Sequence, residues 1–165
     1  MGDTYLEHLV KQARPVYAGA ATVALYGICF ICLVATFVWL PAVVALVAAI
    51  VATYFITLNL DLEFEYLFVN GQLTIDKIMK KSRRKKVWDG DMESLLIAAP
   101  ADSGLVKNYD GGGQMKCVDC SSKDPSSKAV ALIVSQGQSK LKLIIDPQET
   151  IIRYLKQRYP SKVSL

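Results

Sequence analysis

The sequence predicts a membrane α-helical hairpin followed by a mainly-β barrel of about seven antiparallel strands with a C-terminal capping helix. Three observations predict this fold. Residues 16–58 contain no Asp, Glu, Lys, Arg or His, which is typical of membrane spans. Residues 61–145 contain short alternating segments separated by turn residues, which is typical of strands. Residues 146–159 combine helix-start residues with apolar positions at helical spacing.

Residues 1–15 are predicted to form an amphipathic helix that lies in the membrane interface. The segment DTYLEHLVKQARP has acidic residues early and basic residues late, which suits the helix dipole. Its apolar and aromatic residues fall at helical spacing, namely Tyr5, Leu6, Leu9, Val10 and Ala13.

Residues 16–60 are predicted to cross a membrane twice, as residues 16–39 and 41–60. A bilayer core about 30 Å thick requires roughly 20 helical residues, and the uncharged run is about twice that length. Pro41 suits the first position of a helix and follows Trp39, a residue type of membrane interfaces. A cleaved signal peptide is the alternative, but its apolar region is shorter and no second span would follow it.

Basic residues flank both ends of this hairpin. Lys11 and Arg14 precede the first span and the segment KIMKKSRRKK, residues 77–86, follows the second. The positive-inside rule therefore predicts a multi-pass protein of the cell membrane with both termini in the cytoplasm. Small residues that recur in the spans are expected to let the two helices approach closely: Ala20, Ala24 and Gly27, and Ala42, Ala45, Ala49 and Ala52.

The strand pattern begins at Asp61. In DLEFEYLF the apolar residues alternate with Asp61, Glu63 and Glu65, which predicts a half-buried strand with an exposed acidic face. Asn70–Gly71 predicts a type I′ turn because both residues tolerate a positive φ. A returning strand follows, and further strands are predicted at about 84–89, 94–100, 115–120, 128–135 and 140–145. DPQE at 146–149 predicts a helix with Asp146 as its N-cap.

Seven strands followed by one helix is the element order of a pleckstrin-homology-like (PH-like) barrel. The stretches DTYLEHLVK, LEFEYLFVNGQLTIDKIMKKSRRKKV and LIIDPQETIIRYL resemble a family of small bacterial two-span membrane proteins with a C-terminal bacterial PH-like domain. The resemblance implies that residues 61–165 form a cytoplasmic PH-like domain, and such domains generally bind partners or lipid headgroups. It implies no catalytic residue. PH domains that bind phosphoinositides have a basic loop between their first two strands, whereas this chain has the turn VNGQ there.

Seven of the 19 basic residues lie between positions 77 and 86, and the rest of the chain is slightly acidic. The first strand leads away from the membrane and the second returns, so the end of the second strand is expected beside the bilayer. Six residues are predicted to contact anionic phospholipid headgroups: Lys80, Lys81, Arg83, Arg84, Lys85 and Lys86. The alternative is a solvated turn that only sets the topology. With no recognition motif and no second basic patch, nucleic acid is not predicted as a partner.

The segment CVDC has the spacing of a metal or redox site at Cys117 and Cys120. Residues three apart in a strand point to opposite faces, and a structural zinc ion needs four ligands. We therefore predict no metal, no cofactor and no catalytic residue, and we keep these two cysteines as the alternative metal ligands.

These observations favour a membrane-anchored, non-enzymatic adaptor whose PH-like barrel binds a protein partner, an anionic lipid surface, or both. An accessory subunit of a larger membrane complex is the first alternative. A membrane-tethered metal or redox protein using Cys117 and Cys120 is the second.

Overall fold

The computed structural model describes residues 5–110, 115–137 and 139–165. The chain forms two compact units. The hairpin unit contains Arg14–Leu62 and Met79–Ser82, and the β domain contains Met1–Ala13, Glu63–Ile78 and Arg83–Leu165. The β domain is therefore discontinuous in sequence, because the hairpin is inserted between its first and second strands.

The hairpin unit contains two apolar helices, α1 (Ala18–Thr36) and α2 (Ala42–Leu60). Each has 19 residues, or about 28 Å at 1.5 Å per residue, and each is long and apolar enough to cross a membrane. The helices lie within the predicted spans 16–39 and 41–60.

On α1 the two helices pack through a different stripe from the one that the small residues predict, whereas on α2 Ala42 of the predicted stripe is buried and Ala45 and Ala52 are exposed. Ala20, Ala24 and Gly27 are exposed, whereas Thr53 and Thr57 of α2 are buried. The Cys29 sulfur and the Thr53 hydroxyl oxygen lie 3.4 Å apart across the helix pair. Small polar side chains thus share the contact with apolar ones, and this contact leaves the predicted stripe of α1 uncovered.

The β domain contains two four-stranded sheets. The first has the order β1-β2-β3-β4, with strands β1 (Tyr5–Lys11), β2 (Leu62–Val69), β3 (Gln72–Met79) and β4 (Arg83–Asp91). The second has the order β5-β7-β8-β6, with strands β5 (Leu95–Pro100), β6 (Lys116–Asp119), β7 (Val130–Gln136) and β8 (Ser139–Ile145). The helices are a one-turn 3₁₀ helix (Met92–Ser94), α3 (Gly104–Asp110) and α4 (Glu149–Arg158).

Residues 5–11 form a strand, so the prediction of an interfacial helix over residues 1–15 is wrong for this segment. β1 pairs with β2 in antiparallel register from Tyr5 opposite Val69 to Lys11 opposite Glu63. The segment also alternates with a period of two, because Leu6, His8 and Val10 are less exposed than their neighbours. A short helix is marginal by itself, so pairing with β2 decides its conformation.

The acidic face of β2 is not exposed as predicted. Glu63 and Glu65 are each only 8% exposed. β2 lies between β1 and β3, so side chains of a strand on each side flank the two carboxylates, and Lys11 stands opposite Glu63. Opposite charges on directly paired positions stabilise a sheet.

The seven predicted strands correspond to β2–β8, and β1 is the eighth. They are not all antiparallel, because β6 pairs with β8 in parallel register from Lys116 opposite Leu141 to Asp119 opposite Ile144. A parallel pair requires a long connection between its strands. Here residues 120–138, which include β7, form that connection. The order β5-β7-β8-β6 follows from this crossover.

The core of the β domain lies under α4, which buries Ile151 and Leu155. Tyr66 is fully buried in β2, and its hydroxyl donates to the Cys120 carbonyl at 2.6 Å and accepts from the Asp146 amide at 3.3 Å. Burial raises the pKa of Tyr66, so the phenol stays protonated. The N-cap of α4 is Gln148 instead of the predicted Asp146, whose carboxylate accepts from the Ser122 amide at 2.7 Å.

Candidate functional site: the basic turn and strand β4

A tight turn at Lys80–Lys81 joins β3 to β4. The φ values of Lys80 and Lys81 are 49° and 56°, and the Ser82 amide donates to the Met79 carbonyl at 3.1 Å. Positive φ is unfavourable for residues with a Cβ atom, so two adjacent lysines in this region store backbone strain. The sequence predicts a connection between the strands that end at Met79 and begin at about residue 84, but not its conformation, because Lys-Lys is not a type I′ turn signal.

The turn is held beside the end of α2. The Lys80 amide donates to the carbonyl of Asp61, the residue that follows α2, at 2.9 Å. The returning strand, β3, is expected to end where the chain leaves the helices. This contact agrees with that expectation. It places Lys80 and Lys81 within the hairpin unit.

The other four predicted lipid-contact residues, Arg83, Arg84, Lys85 and Lys86, lie at the exposed start of β4, in the β domain. Alternate residues of a strand share a face, so Arg84 and Lys86 lie on one side and Arg83 and Lys85 on the other. All four are exposed. Their contact with lipid remains a prediction.

Two of these cations already contact carboxylates. Arg84 donates to both oxygens of Glu65, at 2.6 and 3.2 Å, and Lys86 donates to Asp89 at 2.7 Å. The hydrogen bond to Asp89 raises the pKa of Lys86, and the hydrogen bond from Lys86 lowers the pKa of Asp89. The positive field that the stretch offers to a partner is therefore smaller than its six formal charges.

A second ionic feature lies at the base of the hairpin, where sequence analysis assigned no site. Arg14 and Asp61 flank the two helices in sequence, and their side chains form a two-contact ion pair at 2.9 and 3.2 Å. Their positions just outside α1 and α2 are the signal that could have revealed this pair. A cavity adjoins it within the hairpin unit.

Cys117 and Cys120 lie in environments that differ as the strand spacing predicts. Cys117 is exposed, whereas Cys120 is fully buried. Burial raises the pKa of the Cys120 thiol to about 12, which disfavours the thiolate that metals and disulfides require. Within the described ranges, no group of three or more His, Cys, Asp or Glu side chains is placed to hold a metal ion.

The chain matches a known protein family. The profile of the family described as Bacterial PH-like domain (DUF6106) covers residues 2–165. The chain belongs to this bacterial PH-like domain family. No curated protein and no solved structure matches the chain.

Membership in the PH-like family indicates an interaction module, because PH-like domains are typically non-enzymatic binding domains. In this PH-like domain, the connection that follows β2 is the turn at Asn70–Gly71, with φ values of 50° and 94°. The predicted type I′ geometry at this position is confirmed. Basic residues lie at the next connection, Lys80–Lys81.

Proposed function

We propose that the chain is a membrane-anchored, non-enzymatic interaction module. In this proposal α1 and α2 cross the cell membrane as a hairpin, and the PH-like domain lies on the cytoplasmic side and binds a protein partner, anionic phospholipid, or both. The observation that carries the proposal is the exposed apolar surface of the helices. Large side chains such as Phe30, Ile31 and Phe55 are more than half exposed, and a surface of this size requires lipid or protein cover.

The strand pairing around the hairpin supports an even number of crossings. β1 precedes α1 and β2 follows α2, yet the two strands are hydrogen-bonded neighbours in one sheet. Paired strands must lie on the same side of a bilayer, because a sheet cannot continue through it unless it closes into a barrel. The basic residues at both flanks favour the cytoplasm as that side.

The basic stretch supports anionic lipid as one partner. The Lys80 amide bonds to the carbonyl of Asp61, the residue that follows α2, so a hairpin in the bilayer would bring the ammonium groups of Lys80 and its neighbour Lys81 to headgroup depth. A basic residue near an anionic surface contributes about 1 kcal/mol, screened over about 8–10 Å. Arg84 and Lys86 contribute less to lipid binding, because each already forms an ion pair with a carboxylate.

An accessory subunit of a larger membrane complex is the second candidate function. The exposed stripe of Ala20, Ala24 and Gly27 on α1 favours it, because small residues let another helix approach closely. The burial and raised pKa of Cys120 argue against the redox alternative.

Membrane anchoring is tested with single cysteines at one position before the hairpin and one position after it in the sequence. Leu9→Cys on exposed β1 and the native Cys117 on β6 are compared, each with the other reactive cysteines replaced by serine. In inverted membrane vesicles, an impermeant thiol reagent should label both positions, and in right-side-out vesicles neither. Labelling from opposite sides, or extraction of the full chain by alkaline carbonate, would contradict the hairpin.

Lipid contact is tested by hydrogen–deuterium exchange of the full chain in nanodiscs. Amides of residues 80–86 should exchange more slowly in phosphatidylglycerol than in phosphatidylcholine discs, and added salt should reduce the difference. Changing Arg83, Arg84, Lys85 and Lys86 to Gln should reduce it further. The matched control replaces four exposed lysines of other elements by Gln: Lys107, Lys116, Lys123 and Lys156. No difference between the two lipids at low salt would leave the stretch as a topology signal only.

A further inference from the structure

The hairpin unit contains a cavity of about 410 Å³ where α1 begins and α2 ends. Polar side chains lining it come from both flanks of the hairpin and from the basic turn, namely Arg14, Asp61 and Lys80. Gly19, Thr22 and Tyr26 line it from the first three turns of α1. The cavity therefore combines an ionic end with a wall that follows the helix.

A second cavity, of about 250 Å³, continues this surface along the helices. It shares Tyr26, Thr57 and Lys80 with the first cavity, and it extends to Cys29 and Ile50. In α1 the lining thus runs from Ala18 to Cys29, about 16 Å along the helix axis at 1.5 Å per residue. This length matches roughly half of a bilayer leaflet plus its headgroup region.

The ionic end carries one net positive charge. Arg14 and Asp61 form an ion pair with an N···O distance of 2.9 Å, and Lys80 adds the third charge. The Arg14 side chain remains 59% exposed, and a guanidinium has five N–H donors, so donors remain for a ligand. The Lys80 backbone is fixed by the bond from its amide to the Asp61 carbonyl at 2.9 Å, so the turn holds the lysine at the cavity.

The threonine hydroxyls of the wall are already used as donors within their helices. Thr22 donates to the Ala18 carbonyl at 2.7 Å, and Thr57 donates to the Tyr54 carbonyl at 3.1 Å. An anion in the cavity therefore relies on Arg14 and Lys80, with the Tyr26 side chain where the ionic end meets the apolar groove. This division into a cationic end and an apolar groove matches an amphiphile with one phosphate.

We propose that the two cavities bind one anionic phospholipid, with its phosphodiester between Arg14 and Lys80 and one acyl chain along Tyr26 towards Cys29 and Ile50. The inference rests on the proposed function, because it requires the hairpin to lie in a bilayer. Charge complementarity selects the lipid. One net positive charge matches a phosphodiester without a cationic headgroup, whereas a zwitterionic headgroup would bring an ammonium or choline group close to Arg14 and Lys80.

The test measures lipids that remain bound to the full chain, by native mass spectrometry after release from nanodiscs of mixed phosphatidylglycerol and phosphatidylcholine. The wild-type chain should retain one phosphatidylglycerol in preference to phosphatidylcholine. Lys80→Gln should lower this retention about fivefold. Lys81→Gln is the matched control because it removes the same charge from the same turn, and Lys81 lines neither cavity.

A space-filling pair tests the groove independently of charge. A Cβ atom built at Gly19 or at Gly27 meets nothing within 4 Å, but only Gly19 lines the cavity. Gly19→Leu should therefore abolish retention of the lipid, whereas Gly27→Leu should retain it. Both changes favour a helix, so neither is expected to unfold α1.

The outcomes separate this inference from the function on which it rests. Wild-type chain that enters nanodiscs but retains no phosphatidylglycerol overturns the lipid site and leaves the membrane anchor standing. Equal losses for Lys80→Gln and Lys81→Gln, or for the two glycine variants, also overturn the site in favour of diffuse surface attraction. Retention that inorganic phosphate abolishes at millimolar concentration indicates a phosphate site without a lipid groove. Failure to enter nanodiscs overturns both proposals.

Discussion

Two tight turns close the two ends of β3, and both place two successive residues at positive φ although their residue types differ. Asn70 and Gly71 have φ values of 50° and 94°, and Lys80 and Lys81 have values of 49° and 56°. A backbone bond joins each turn to another segment, from the Met92 amide to the Gly71 carbonyl and from the Lys80 amide to the Asp61 carbonyl, both at 2.9 Å. Only the first turn has the residues that this backbone favours.

The difference between the turns indicates why each turn has its particular residue types. Asn-Gly adopts positive φ at little cost, so the first turn is explained by the fold alone. Two lysines in left-handed conformation cost of order 1 kcal/mol each, and Asn-Gly at the same two positions would carry less of this cost. Strain of this kind is found at functional sites, and here it places Lys80 at the cavity of the hairpin unit.

The largest expected effect is on the first turn. Gly71→Ala should destabilise the full chain by about 1–2 kcal/mol, because an L-residue is strained at φ +94°. The added Cβ would lie 3.8 Å from the Tyr159 hydroxyl oxygen, an ordinary contact, so the loss comes from the backbone. Thermal unfolding in detergent measures it. Gly104→Ala is the control, because Gly104 begins α3 in open space and lacks a positive φ; equal losses in both variants would contradict the argument.

The opposite effect is expected at the second turn. Lys80→Asn together with Lys81→Gly should stabilise the chain by about 0.5–1 kcal/mol, because these residues accept the existing backbone. The same thermal measurement applies, and phosphatidylglycerol retention should fall because the charge at the cavity is lost.

A charge-only variant separates backbone strain from repulsion between the lysines. Lys80→Gln with Lys81→Gln keeps a side chain at both strained positions and removes both charges. We expect no gain in thermal stability from it. A gain equal to that of the Asn-Gly variant would show that repulsion, and not positive φ, destabilises the turn.

Local sequence patterns predict part of this fold, and long-range pairing decides the rest. The Asn70–Gly71 turn, both apolar helices and β2–β8 depend on local patterns, and the sequence predicts them. β1 depends on pairing between residues 5–11 and 63–69 across the inserted hairpin, and no local pattern carries this information. The same long-range pairing buries Glu63 and Glu65, and the crossover through β7 makes the β6–β8 pair parallel.

The candidate site divides in the same way. The basic residues 80–86 are evident from composition, but their partners are not. Arg84 contacts Glu65 and Arg14 contacts Asp61, and both pairs join residues far apart in sequence. The cavity is also missed, because Gly19, Tyr26 and Lys80 meet only when the turn returns to the end of α2. Residue type thus reveals where charge lies, whereas topology decides which charges remain available.

The smallest expected effect concerns the carboxylate beside the first turn. Asp89 accepts from the side chains of Gln72 and Lys86, both at 2.7 Å, and these contacts lower its pKa in the folded chain. A lowered pKa means that the contribution of Asp89 to stability is present above its unfolded pKa of about 4 and is lost as the pH falls through the folded value. The contribution is small because both partners of the ion pair are exposed to solvent.

Asp89→Asn should therefore reduce the loss of thermal stability between about pH 6 and about pH 3 relative to the wild type. At neutral pH the variant should unfold at a slightly lower temperature, by less than either turn variant shifts it. Lys86→Gln and the double variant complete a mutant cycle, and the double variant should resemble Asp89→Asn, because Lys86 has no charged partner to lose once Asp89 is replaced. An unchanged pH dependence in Asp89→Asn would contradict a role of the Asp89 contacts in acid sensitivity.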